Sequence, residues 1–237
     1  VAVGVAILPR LARSARSEDV SGSAKLMDNG IGLAMALTVP ASIALMTAPD
    51  YLISGLYARG AFTENDAIQA GRALVHFGWG VPAFVLIKVL AAREDTVTPM
   101  RFSLWSVAIN TVLGASLFFW FRSNGADGFP GLAMATSVAA WFNVLALLFG
   151  LIQRGWYRPG WTLISRLVSV LMASLMMGGI LYVLRLDPYL MPNFVTSGRL
   201  MEVAVFVGIG AAVYGVAAIA FGAIRFEDLS QAKSQSA

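Results

Sequence analysis

Apolar residues come in long uncharged runs, and the short stretches between them hold nearly all the charge. A helix that crosses a bilayer needs about 20 mainly apolar residues. Five runs meet or nearly meet that length: Asn29–Ala48, Phe102–Phe121, Gly131–Ile152, Leu167–Leu184 and Val203–Ile224. A sixth, Ala67–Ala92, carries Arg72, His76 and Lys88 around an apolar centre, and residues 1–9 read as the end of a seventh. These runs are too long for strands and lack period-2 alternation. The expected fold is all-α, a polytopic transmembrane helical bundle of about six full helices plus the end of a seventh. Pro40 and Pro82 fall inside spans. Membrane helices tolerate proline where neighbours satisfy the freed backbone groups.

Composition strengthens this reading. The 237 residues are 58% hydrophobic and 13% charged, against about 45–50% and about 25% in soluble domains. There is too little polar surface to cover a water-soluble globule, and mean hydropathy is +0.73. A pI near 9.7 suits nucleic acid. However, the basic residues lie singly between apolar spans, which fits loops facing membrane lipids and no nucleic acid. The absence of cysteine excludes disulfides and thiolate metal sites, and the one histidine argues against a His-based metal or triad site. No Walker motif, dinucleotide glycine loop, paired intramembrane carboxylate or G-x-S-x-G occurs, so the motifs give little support to an enzyme. The chain opens with Val inside an apolar stretch and reads as part of something longer.

Loop charge orients the helices, because basic residues collect on the cytoplasmic side. If the 10–28 loop is cytoplasmic, eleven Lys and Arg residues lie on that side, among them Arg10, Lys25, Arg93, Arg101, Arg154 and Arg166. The other side has four: Arg59, Arg122, Arg185 and Arg199. The C-terminus is then cytoplasmic. Four parts are expected. Residues 1–28 hold a helix end and a basic loop, and 29–152 a four-helix part. Residues 153–224 hold two further helices, and 225–237 a tail.

Polar residues inside or beside the spans are the candidates for function. Lys88, in "VLIKVLAAREDTVTPM", sits a turn from the cytoplasmic end of its helix, where its ammonium reaches the headgroups. Asp95 or Thr98 caps the next helix, with Pro99 at its first position. A functional lysine is the alternative. Ser103, Ser106, Asn110 and Gly114 make one small, polar helix face, and Ala133, Thr136, Ala140 and Asn143 make another. Ordinary close packing pairs Asn110 with Asn143 across the hairpin. The sharper reading is a cation site made of neutral oxygens on these two faces.

Four stretches in order, "GVAILPRLAR", "LYARGAFTENDA", "VPAFVLIKVLAAREDTVTPM" and "GLAMATSVAAWFNVLALL", resemble the MurJ (MviN) lipid II flippases. These lie within the multidrug/oligosaccharidyl-lipid/polysaccharide exporter superfamily. The resemblance implies fourteen helices, two lobes of six plus two, of which this chain covers the end of the eighth onward. It further implies a bacterial inner-membrane protein that carries lipid II, an undecaprenyl-pyrophosphate-linked muropeptide, outward by alternating access against a missing N-terminal lobe. The family's cavity arginines fall outside this chain, and its lipid-tail groove corresponds to about 162–184 and 199–224. Lys88, Arg93, Asp95, Thr96, Thr98 and Pro99 form the family-like cytoplasmic turn, here about a turn shorter. No cofactor is implied beyond a sodium ion, for which Asn110 and Thr136 match. The family's acidic position falls on Gly114, which implies a weakened or absent site. A flippase or exporter for another polyprenyl-linked glycan or drug, or a non-transporting scaffold fragment, is the alternative.

Overall fold

The computed structural model describes residues 20–57, 60–91, 97–125, 127–186 and 199–223. Among them every regular element is a helix: α1 (Val20–Thr47), α2 (Pro49–Tyr57), α3 (Glu64–Gly78), α4 (Val81–Ala91), α5 (Val97–Ser123), α6 (Phe129–Gln153), α7 (Trp161–Leu186) and α8 (Arg199–Ala220). Six stretches are long and apolar enough to cross a membrane, with α3 and α4 together making one of them, Asn65–Ala91. This is the all-α, six-span bundle that the hydrophobic runs predict. The expected seventh helix end, residues 1–9, lies outside the described residues.

Three departures from the sequence expectation stand out. Helix α1 begins at Val20, so residues 20–28, read as loop, are helical. Hydropathy does not separate a loop from a helix that runs on past the apolar zone. The stretch after Ala48, read as outer loop, contains α2, which buries Pro49, Leu52 and Gly55. At nine residues it is too short for a spanning pattern to register. The last helix stops at Ala220 instead of Ile224. Gly222 turns the chain at φ +70. The amides of Gly222 and Ala223 then close the end on the carbonyls of Ile219 and Ala218, at 3.1 and 2.8 Å.

The helices pack as a row. Helix α5 lies against α6, α6 against α3 and α4, these against α1, α1 against α7, and α7 against α8. One apolar cluster binds α1, α4 and α6 through Met27, Ile31, Leu86, Leu90, Leu147 and Leu151. A second joins α1, α7 and α8 through Ala36, Val170, Ala173 and Ala217. A third ties α2 to α7 and α8 through Leu52, Leu181 and Phe206.

Both mid-span prolines leave a carbonyl four residues back without its helical amide. For Pro40 that carbonyl is Ala36, and the Tyr214 hydroxyl of α8 donates to it at 2.7 Å. For Pro82 it is Gly78, and the Ser42 hydroxyl of α1 donates to it at 2.6 Å. Such replacement matters more in lipid than in water, because no solvent competes for the orphaned group. Tyr214→Phe is therefore expected to lower stability by about 1–3 kcal/mol, the cost of a buried unmade bond. Pro40→Ala, which returns the amide, should recover most of that loss in the double variant. Thermal unfolding in detergent, followed by circular dichroism, measures both. Equal losses with and without Pro40 would contradict the account.

Candidate functional site

The polar faces of α5 and α6 meet in a register set at their connection. Glycine permits this. A Cβ on Gly131 would lie 2.8 Å from the carbonyl carbon of Leu117, so the two backbones touch there. Helix α5 then runs on past this contact to Ser123 before the chain turns. Residues facing each other are consequently shifted by more than a turn from a hairpin folded symmetrically about its loop. The Thr136 hydroxyl lies 3.4 Å from Asn110 Oδ1, and it also donates to the Leu132 carbonyl at 2.9 Å. Ser106 donates to the Ala139 carbonyl at 2.8 Å. Asn143 reaches Ser103, at 3.4 Å, and does not pair with Asn110. The expected asparagine pair is thus replaced by two separate contacts, because the glycine contact and not the loop centre sets the register.

The two asparagines differ in surroundings. Asn143 is 5% exposed, and its Oδ1 has no hydrogen-bond partner. Asn110 instead borders an open cleft of about 490 Å³ with Thr111, Gly114, Leu132 and Thr136. Three oxygens converge there, from Asn110, Thr136 and Leu132, and all are neutral. Gly114, on the same face of α5, contributes none. Among the described residues no cluster of three His, Cys, Asp or Glu could hold a metal ion. The donor set therefore fits at most a weakly held monovalent cation.

At the other end of the row, Leu37, Pro40 and Ala44 of α1, Leu181 of α7, and Phe206 and Val207 of α8 line an apolar groove of about 230 Å³. Its walls come from the two C-terminal helices and the proline-bearing helix that supports them.

The basic end of the bundle holds the turn singled out from sequence. Lys88 is exposed in the last turn of α4. Arg93, Asp95 and Thr96 lie outside the described residues. Thr98 is not the cap of α5 but its second residue, and Pro99 is its third. A proline there still costs no helical bond, since the first four amides of a helix have no internal acceptor. The Thr98 hydroxyl accepts from Arg154 Nη2 at 2.8 Å, tying the start of α5 to the end of α6.

Two further contacts close the bundle and were not visible in the sequence. Buried Tyr157, in the α6–α7 connection, donates to Asp28 of α1 at 2.5 Å. Burial first, and the Asp28 carboxylate second, hold its phenol well above the ordinary tyrosine range. At the opposite end, Arg185 of α7 grips both oxygens of Asp50, at 2.6 and 2.7 Å. It also donates to the Thr47 carbonyl at 2.8 Å, neutralising the end of α1. Neither pairing follows from spacing, since the partners are more than a hundred residues apart.

Six apolar spans, prolines whose carbonyls are met by neighbours, a polar cleft and an apolar groove define a multi-pass helical membrane protein. The chain belongs to the lipid II flippase MurJ family, whose profile matches residues 1–202. It is 36% identical to the probable lipid II flippase MurJ of Rhizobium tropici over 230 residues, covering 94% of this chain and 42% of that protein. With the probable lipid II flippase MurJ of Vibrio cholerae it shares 34% identity, covering 98% of this chain and 44% of the relative. A solved structure of lipid II flippase MurJ in an inward closed conformation superposes with a TM-score of 0.67. That likeness, at 21% identity, covers 97% of this chain and 43% of the other. The chain thus spans under half the length of the curated relatives it matches.

Tyr157→Phe tests the closure at the basic end. It removes a hydrogen bond to a carboxylate, worth about 1.5–3 kcal/mol. Because folding raises the phenol's pKa, its contribution is complete below about pH 10 and lost as pH rises above that value. Unfolding midpoints measured across alkaline pH should fall less steeply in the variant, from a lower starting value. An unchanged midpoint at neutral pH would remove this contact from the account.

Proposed function

We propose that this chain is the C-terminal part of a lipid II flippase that works by alternating access and performs no covalent chemistry. One observation carries the reading: the polar cleft of Asn110, Thr111, Gly114 and Thr136 opens on α5, the least buried of the six spans. Polar side chains facing hydrocarbon are costly, so such a face belongs against water or against another protein part. A second lobe, about as long as the part of the relatives that lies beyond this chain, would supply both. The barrier to flipping is desolvation of a charged, sugar-bearing headgroup, which a polar path between lobes lowers. The apolar groove at α7 and α8 has the chemistry to receive a prenyl tail. A sodium ion at Asn110 and Thr136 would be held weakly, so sodium dependence is modest. The site is the bacterial inner membrane, with the basic end and the C-terminus in the cytoplasm.

Orientation is read with single cysteines, since the chain has none. Ser123→Cys should react with an impermeant thiol reagent in intact cells, and Gln153→Cys only after lysis. The reverse pattern overturns the assignment.

Function is read by complementation of cells depleted of their own flippase. Residues 1–237 alone are expected not to restore growth, and rescue by them would sink the two-lobe argument. In a two-lobe protein carrying this sequence, Asn110→Ala should slow lipid II transport several-fold more than Asn143→Ala. Equal, small effects would return the cleft to ordinary packing.

A further inference from the structure

The span Asn65–Ala91 is broken between α3 and α4 at Trp79 and Gly80. The break disturbs consecutive carbonyls, and side chains from two other helices collect them. The Gly80 amide bonds to Phe77 O at 3.0 Å, one residue short of a full α-turn, so His76 O loses its amide. Ser137 of α6 donates to it at 2.8 Å. Pro82 frees Gly78 O, which Ser42 of α1 takes. Trp141 of α6 donates through its indole to Trp79 O at 3.0 Å. Ser42 and Ser137 are 3% and 0% exposed, so water does not reach these bonds.

Ser137 is the unusual member. Its single hydroxyl proton faces two acceptors one residue apart, His76 O at 2.8 Å and Phe77 O at 3.3 Å. Both acceptors lie in the last turn of α3, so the hydroxyl can pass from one to the other while that helix end keeps a donor. Gly80 makes room for it, since a Cβ there would lie 2.4 Å from the Ser137 hydroxyl. The halves on either side are held differently. Helix α4 sinks Ala83, Leu86, Val89 and Leu90 into the main core, whereas α3 fully buries Ala67 and its glycines and rests on α2 through the close approach of Gly71 to the Asp50 backbone.

We propose that Trp79–Gly80 is a working hinge, with Ser137 as its bearing, about which α3 reorients on a fixed α4. Discontinuous membrane helices are tolerated only where protein groups re-satisfy the backbone, and here those groups allow more than one angle. The 15-residue α3 is about 22 Å long at 1.5 Å per residue, so a bend of about 15° moves its far end by about 6 Å. The hinge is independent of which lipid-linked substrate is carried.

The test measures distance, not transport. Asn65→Cys at the far end of α3 and Lys88→Cys on α4 give one spin-label pair in the 237-residue chain reconstituted in lipid vesicles. Pulsed electron–electron resonance then gives the distribution of their separation. Ser137→Ala is expected to broaden it or shift its peak by about 6 Å, a displacement set by the helix length. Pro82→Ala, which returns an amide to Gly78 O and favours a continuous helix, should narrow it. Superimposable distributions for the parent, Ser137→Ala and Pro82→Ala overturn the hinge. Should Ser137→Ala fail to fold, the parent and Pro82→Ala decide alone: narrowing supports the hinge, and any other result overturns it.

Discussion

A backbone carbonyl in hydrocarbon has no water to fall back on, and the whole arrangement answers that constraint. Pro40 and Pro82 each remove a helical donor, and each vacancy is met by a hydroxyl on a helix distant in sequence. Tyr214 thereby fixes α8 on α1, and Ser42 fixes the α3–α4 break on the same helix. The prolines consequently act as addresses for neighbours rather than as defects. Helix α1, which bears Pro40 and Ser42, contacts α3, α4 and α7 and organises the row.

The same physics explains why the two ends of the row differ. Toward α7 and α8 the contacts are apolar and enclose a groove of Leu, Ala, Phe and Val. Toward α5 they are small and polar, and the face remains open. An open polar face is stable only against water or another protein surface, whereas an apolar groove is stable in lipid. This chain separates the two kinds of surface across its width. The contacts at the membrane boundaries, Tyr157 with Asp28 and Arg185 with Asp50, join helices that the apolar packing already brings together. Arg185 and Asp50 are about a third exposed, so their worth lies in orientation more than in stability.

Much of the fold was legible because hydrocarbon thickness imposes a length that hydropathy records directly. Phe102–Phe121 and Gly131–Ile152 each fall within a helix, and Asn29–Ala48 does so but for its last residue. Helix α2 was missed because nine residues carry no spanning signal, and its buried Leu52 looks like any loop leucine until α7 and α8 are in place. The expectation that Thr98 caps α5 failed by a residue or two, since several positions around a proline satisfy the same local rule.

Sequence alone determined the number and kind of spans, the charge asymmetry between their ends, and the two prolines that had to find outside donors. Each of these is a property of a residue or a run, set by transfer from water to lipid or by a missing amide. Tertiary structure decided which hydroxyl meets which carbonyl, and that Asn110 faces Thr136 while Asn143 faces Ser103. The reason is geometric. Antiparallel helices can slide past each other by whole turns with little change in apolar contact. The register is chosen where two backbones touch, at Gly131 against Leu117, and no count along the chain records that contact.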